Sequence, residues 1–217
     1  ALALSAAVVL PSAAKAEEVT EINWGLLAVE SKDNLLKRYT PFLELMEQRL
    51  GLKINTFFAT DYTGMIEAMR FDKVDVVLYG NKSGMTAVDR AGGEVFAQEV
   101  EASGDAGYHT ILVTQKDNDA INSLADVLAT CGDKSLDFGI GDPQSTSGYL
   151  VPMTYVFGEN DVTPRDCFKT VINASHESSL MAAANGQVDV ATAHNIALYD
   201  RLERNAPEAA AKLKEIW

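Results

Sequence analysis

Apolar positions along this chain fall into two alternating rhythms: short runs of strand length, and longer stretches at the 3–4 spacing of an amphipathic helix. Glu21 to Leu27 reads as a first strand. Thr40-Pro41 gives a helix N-cap followed by a proline in the first turn. Phe42, Leu45, Met46 and Leu50 then keep helical spacing, with Arg49 the polar exception, and Gly51 supplies a stop. Lys53 to Ala59 is a second strand, Asp61 caps a helix running through Arg70, and Val74 to Tyr79 is a third strand leading into a polar loop.

The second half follows the same plan. Tyr108 to Thr114 reads as a strand, and Asn118 to Ala129 as a loop with a short helix. Leu136–Ile140, Phe168–Asn173 and Val188–Thr192 are strands, separated by helices over Thr146–Phe157 and Ser175–Ala184. Leu198 to Leu213 is polar, alanine-rich and mostly helical, and Glu215-Ile216-Trp217 reads as the start of another strand. Strands alternating with helices imply parallel βαβ units covered on both faces.

The halves also superimpose without gaps. DYTGMIEAMRFDKVDVVLYGN, Asp61 to Asn81, lies on SHESSLMAAANGQVDVATAHN, Ser175 to Asn195. Few letters beyond Val-Asp-Val are shared, but the physical plan is: capped helix, polar turn, Val-Asp-Val strand, polar loop. Tyr62 and His176 correspond, each one residue after a helix cap, as do Asp75 and Asp189. Two similar α/β lobes are expected: residues 17–109, then 110–200, with 201–217 forming a helix and the start of a return to the first lobe. The remainder of that return is expected to be missing from the sequence. Ligands in such sheets bind outside the carboxyl ends of the strands, so two facing lobes would enclose a cleft.

Composition narrows the partners. The chain has 217 residues with a net charge of −13 and no basic cluster, which argues against nucleic acid or an acidic membrane surface. Residues 1–16, ALALSAAVVLPSAAKA, read as the apolar core and A-x-A cleavage site of a secretory signal peptide lacking its charged start. The product is then an exported, soluble protein. In an oxidising compartment Cys131 and Cys167 are expected to form a disulfide, with two free buried thiols as the alternative.

The candidate chemistry sits in Gly141-Asp142-Pro143-Gln144-Ser145-Thr146-Ser147-Gly148, between a strand and a helix. The first N–H groups of a helix lack internal partners and carry the positive end of its dipole, so this turn suits an anion. Ser145, Thr146 and Ser147 add neutral donors there, although capping alone would explain a Ser or Thr at this point. No G-x-S-x-G elbow and no zinc-type spacing of His and Cys occurs, so neither an activated nucleophile nor a metal or other cofactor is implied.

Taken together, the TPFL segment at Thr40–Leu43, FFATDYTGMIEAMRFDKVDVVLYGN from Phe57, AVDRAGGEVFAQ from Ala87, GDPQSTSGYLVP from Gly141 and NASHE…QVDVAT from Asn173 resemble the periplasmic phosphonate-binding proteins of ABC transporters (PhnD type). The resemblance covers most of the chain after the leader. It implies a two-lobed, flytrap-like α/β fold with parallel-rich sheets flanked by helices, delivering an organophosphonate to an inner-membrane permease. By motif, Ser145, Thr146, Ser147 and His176 would hold the phosphonate oxygens. Tyr62 and Tyr108 would close from the first lobe, and Tyr79 would line the cleft floor. His109 and His194 lack such support and are read as structural or exposed. Where the family's aminoalkylphosphonate binders carry a glutamate towards the ligand ammonium, this chain has Ile196. A phosphonate without an amino group, or phosphite or phosphate, is the expected preference. A sensory ligand-binding domain is the other reading such a lobe pair allows.

Overall fold

Two sheets organise the computed structural model, which describes residues 19–100 and 104–217; the leader read at residues 1–16 lies outside the described residues. The first sheet has three parallel strands in the order β2-β1-β3: β1 (Glu21–Leu26), β2 (Lys53–Phe58) and β3 (Val76–Val77). It is flanked by α1 (Lys32–Leu50), α2 (Tyr62–Arg70) and α3 (Asn81–Ala91).

Two expectations change here. Helix α1 begins at a Ser31 cap, whose side chain accepts from the Asn34 N–H, rather than at Thr40, and Pro41 sits inside it. The face that packs inward is Leu35 and Leu43, supported by Leu36, Tyr39 and Met46, whereas Phe42, Leu45 and Leu50 are exposed. Pro41 itself lies on the exposed side, so the carbonyl left unpaired one turn earlier can be hydrated. The loop expected after β3 is instead helix α3, which Asn-Lys-Ser-Gly at its start disguised.

The second sheet has five strands in the order β6-β5-β7-β4-β8. Parallel strands β5 (Leu136–Gly141), β6 (Phe168–Ala174) and β7 (Val190–His194) are joined by β4 (Thr110–Gln115), antiparallel to both β7 and β8 (Leu213–Glu215). The sheet is therefore mixed rather than wholly parallel. The terminal segment runs along β4, and the Leu112 N–H donates to the Trp217 carbonyl at 2.9 Å. Helices α4 (Leu124–Ala129), α5 (Pro164–Cys167), α6 (His176–Ala184), α7 (Glu203–Asn205) and α8 (Pro207–Ala210) cover it. The helix read over 146–157 is two π-helical turns, Thr146–Leu150 and Pro152–Phe157, and a third occupies Ala197–Leu202. Every residue of β7 is buried, as a strand covered on both faces requires. Phe138 stacks on Phe168 at 4.3 Å with Phe157 edge-on, and beside them Cys131 and Cys167 are joined in a disulfide.

The repeat seen in sequence has a structural counterpart. Asp75 accepts the Asn23 N–H at 2.7 Å while its own N–H donates to the Asn23 carbonyl at 2.8 Å. Asp189 does the same with Asp137, at 2.7 and 2.8 Å. In each lobe one aspartate thus clamps the entry of a strand, β3 or β7, to the neighbouring strand, β1 or β5. Between lobes, Glu177 at the start of α6 accepts from the Ser31 N–H at 2.5 Å and from Asn34 Nδ2 at 2.6 Å, meeting the exposed N–H end of α1.

Candidate functional site

The site starts from a close approach of two glycines. A Cβ on Gly141 would fall 2.6 Å from the Gly148 Cα, so strand β5 can meet the π-helical turn that follows only without side chains. Thr192 of β7 stitches that junction. Its hydroxyl accepts from the Gly141 N–H at 3.1 Å and donates to the Gly148 carbonyl at 2.7 Å. Asp142 shapes the outer edge, accepting from the Gln144 N–H at 2.7 Å. Ser145 and Ser147 are thereby buried, and Thr146 is half-buried.

Ser145 Oγ is the hub. It accepts the Gly148 N–H at 3.0 Å, which is the capping bond the sequence suggested, and lies 3.3 Å from His176 Nε2. The buried Tyr62 phenol lies near enough to Ser145 for the serine to act on its titration. The corresponding residues of the two halves, Tyr62 and His176, therefore both come to the turn at Ser145, His176 by direct contact and Tyr62 from the facing cavity wall. Each is the first residue of its helix, behind Asp61 accepting from the Gly64 N–H at 2.7 Å and Ser175 accepting from the Ser178 N–H at 3.2 Å. A fourth helix start joins them: the Lys82 N–H of α3 donates to Thr146 Oγ1 at 2.9 Å. Four helix N-termini, those of α2, α3, α6 and the Thr146 turn, thus face one cavity of about 1020 Å³. Their positive dipole ends and the hydroxyls together select negative charge.

Burial fixes the protonation states. It holds His176 down at about 4, with Arg201 a further cause, so its imidazole is neutral; Nδ1 is buried with no hydrogen-bond partner among the described residues. Burial raises the Tyr62 phenol well above its ordinary value, so it remains a neutral donor.

Every residue read as a site residue lines this cavity: Tyr62, Tyr79, Tyr108, Ser145, Thr146, Ser147, His176 and Ile196. They are not equivalent. The Tyr79 hydroxyl donates to the Met65 carbonyl at 3.1 Å and its ring packs into the first-lobe core, so it forms wall rather than donor. Tyr108 lies with its ring 5.0 Å from that of His194. His194 is buried rather than exposed. It packs edge-on to His176 at 4.7 Å, its Nδ1 accepts the Ala197 N–H at 3.3 Å, and burial, then His176, lowers its pKa. His109 is exposed. Three contributors escaped the sequence reading: Thr192, which holds the turn, and Arg38 and Arg201, which line the cavity. Thr192 did stand in a recognisable QVDVAT segment; nothing in the linear pattern brings Arg38 and Arg201 together. Among the described residues no His, Cys, Asp or Glu cluster is arranged to hold a metal ion, and no helix is long and apolar enough to cross a membrane.

Known proteins resemble this chain along most of its length. The family profile described as "ABC transporter, phosphonate, periplasmic substrate-binding protein" matches residues 24–217. The phosphonates-binding periplasmic protein of Escherichia coli K12 is 52% identical over 209 residues, covering 96% of this chain and 60% of the relative. The phosphate-import protein of Mycolicibacterium smegmatis is 27% identical over 216 residues, covering 95% and 65%. Among solved structures, the binding-protein component of an ABC phosphonate transporter from Pseudomonas aeruginosa superimposes with a TM-score of 0.88 at 52% identity, over 92% of this chain and 65% of that one. The chain thus spans roughly three fifths to two thirds of the length of the relatives it matches.

Proposed function

We propose, because this chain belongs to the family of periplasmic substrate-binding proteins of ABC phosphonate transporters, that it captures an organophosphonate between its lobes and delivers it to an inner-membrane permease. The observation carrying this reading is the convergence of four helix N-termini and the Ser145–Thr146–Ser147 hydroxyls on the point that Tyr62 and His176 reach from opposite lobes. Such donors suit the three oxygens of a phosphonate head, which charge-assisted bonds hold at about 1.5–3 kcal/mol each. Export and work in the periplasm follow from the same reading and agree with the leader-like residues 1–16.

The Ser145–His176 contact resembles a nucleophile and its base, but His176 Nδ1 meets no carboxylate among the described residues and the hydroxyl is engaged as a cap. Binding rather than turnover is the better account. Phosphate or phosphite is the second reading, favoured by the apolar Ile196 in the cleft wall and by the phosphate-import relative. An ammonium brought there without a carboxylate would lose about 1.5–3 kcal/mol, or about tenfold to a hundredfold in affinity. A thermal-shift screen of the full-length protein against methylphosphonate, 2-aminoethylphosphonate, phosphite, phosphate and sulfate tests the proposal. Ligand at a thousandfold its Kd adds about 4 kcal/mol to stability. Stabilisation by methylphosphonate above the others is expected, and stabilisation by none overturns it.

A further inference from the structure

Besides the serine turn, the cleft wall carries a buried charge cluster. Glu30, just after β1, places Oε1 3.1 Å from Arg38 Nη2 of α1 and 3.4 Å from Arg201 Nη1 on the Ala197–Leu202 turn. Glu30 is almost wholly buried, and both arginines line the same cavity as Ser145 and His176. One carboxylate oxygen therefore makes the direct ion pairs of two guanidinium groups from opposite lobes. It does so poorly: Oε1 forms no aligned hydrogen bond, and Arg38 Nε is a buried donor without an acceptor among the described residues. Glu99 faces the cluster from the 92–100 segment but makes no ion pair with either arginine. Burial, and next the neighbouring Arg38, disfavour the charge on Arg201, against the smaller support of Glu30, Tyr39 and Glu99.

We infer that Arg38 and Arg201 form a second anion subsite at the lobe junction, and that the ligand is a phosphonate whose far end carries a carboxylate. Planar guanidinium forks match carboxylate geometry, whereas an ammonium would meet two like charges. Ile196, on the wall beside Arg201, adds no carboxylate that could receive one. The inference rests on the phosphonate reading above and is separable from it by experiment. Titration calorimetry of the full-length protein with methylphosphonate, 2-aminoethylphosphonate, phosphonoacetate and 3-phosphonopropionate ranks the distal groups directly. The better of the two carboxylates is expected to bind at least about tenfold more tightly than methylphosphonate, as one charge-assisted contact implies, and 2-aminoethylphosphonate more weakly than both. In Arg38→Gln that advantage falls to under about threefold while methylphosphonate affinity is kept. Should that variant not fold, the wild-type ranking decides alone. Methylphosphonate or 2-aminoethylphosphonate binding as tightly as either carboxylate overturns the subsite and leaves the phosphonate reading standing. Binding of none overturns both.

Discussion

Protonation of His176 is the perturbation with the sharpest consequence. Burial, chiefly, holds its pKa at about 4 against an ordinary 6.5, so at pH 7 about one ligand-free molecule in a thousand carries an imidazolium there. An oxyanion docked on the Ser145 hydroxyl would stand about 4 Å from Nε2, where two unit charges at an effective dielectric near 20 attract by about 4 kcal/mol. At about 1.4 kcal/mol per unit, that lifts the histidine by about three units, to about 7 beside a monoanion and higher beside a dianion. Binding at pH 7 should then take up about half a proton to one proton per ligand. Titration with methylphosphonate in PIPES, imidazole and Tris reads the uptake as the slope of enthalpy against buffer ionisation enthalpy. The His176→Gln variant retains only the ligand's own proton exchange. Equal slopes for wild type and variant would refute the reasoning. The same burial acts on stability without ligand. Folded His176 is neutral while the unfolded chain takes a proton near 6.5, so its contribution is full above that pH and lost as pH falls from about 6.5 to about 4. About 2 kcal/mol should disappear between pH 8 and pH 5 on its account. Urea titrations should show that loss shrinking in His176→Gln, with the part due to buried His194 remaining.

Other changes test the scaffold around that group. Gly141→Ala forces a Cβ to 2.6 Å from the backbone of Gly148; overpacking of about 1–3 kcal/mol should lower the melting temperature and weaken methylphosphonate binding at least about tenfold. Ser145→Ala removes a helix cap, about 1 kcal/mol of stability, together with the hydroxyl that meets His176, so affinity should fall about tenfold to a hundredfold in calorimetry. Reducing the Cys131–Cys167 disulfide, which spans a separation of 36 residues, should cost about 2–4 kcal/mol, read by thermal melts with and without reductant.

Much of this was legible where physics is local. Asp61 and Ser175 announce their helices because a short polar side chain satisfies an end N–H, and the strand at Leu136 follows from its apolar run. Thr40-Pro41 misled because the rule that proline starts helices is statistical, while the buried stripe from Leu35 to Leu43 settled where α1 runs. The π-helical turns at Thr146 and Pro152 have no period that distinguishes them from an α-helix. Strand direction was equally silent: β4 reads like any parallel strand and becomes antiparallel only through its neighbours. Of the site, the turn, Tyr62 and His176 were readable because each is a helix start. Arg38 and Arg201 stand 163 positions apart and meet only through the fold.

Glu177 ties the two lobes together. It holds the N–H end of α1 in the other lobe, and its immediate neighbour His176 lines the cleft, so on the proposed reading one helix turn carries both the grip on the cargo and the grip on the opposing lobe. Parting the lobes and letting go of the ligand then share a single barrier. Weakening this latch, as in Glu177→Gln, should leave the association rate nearly unchanged and shorten the residence time of the bound molecule. On the proposed reading, the time a bound molecule stays would be set in part by a hydrogen bond between the lobes rather than by the donors that hold it.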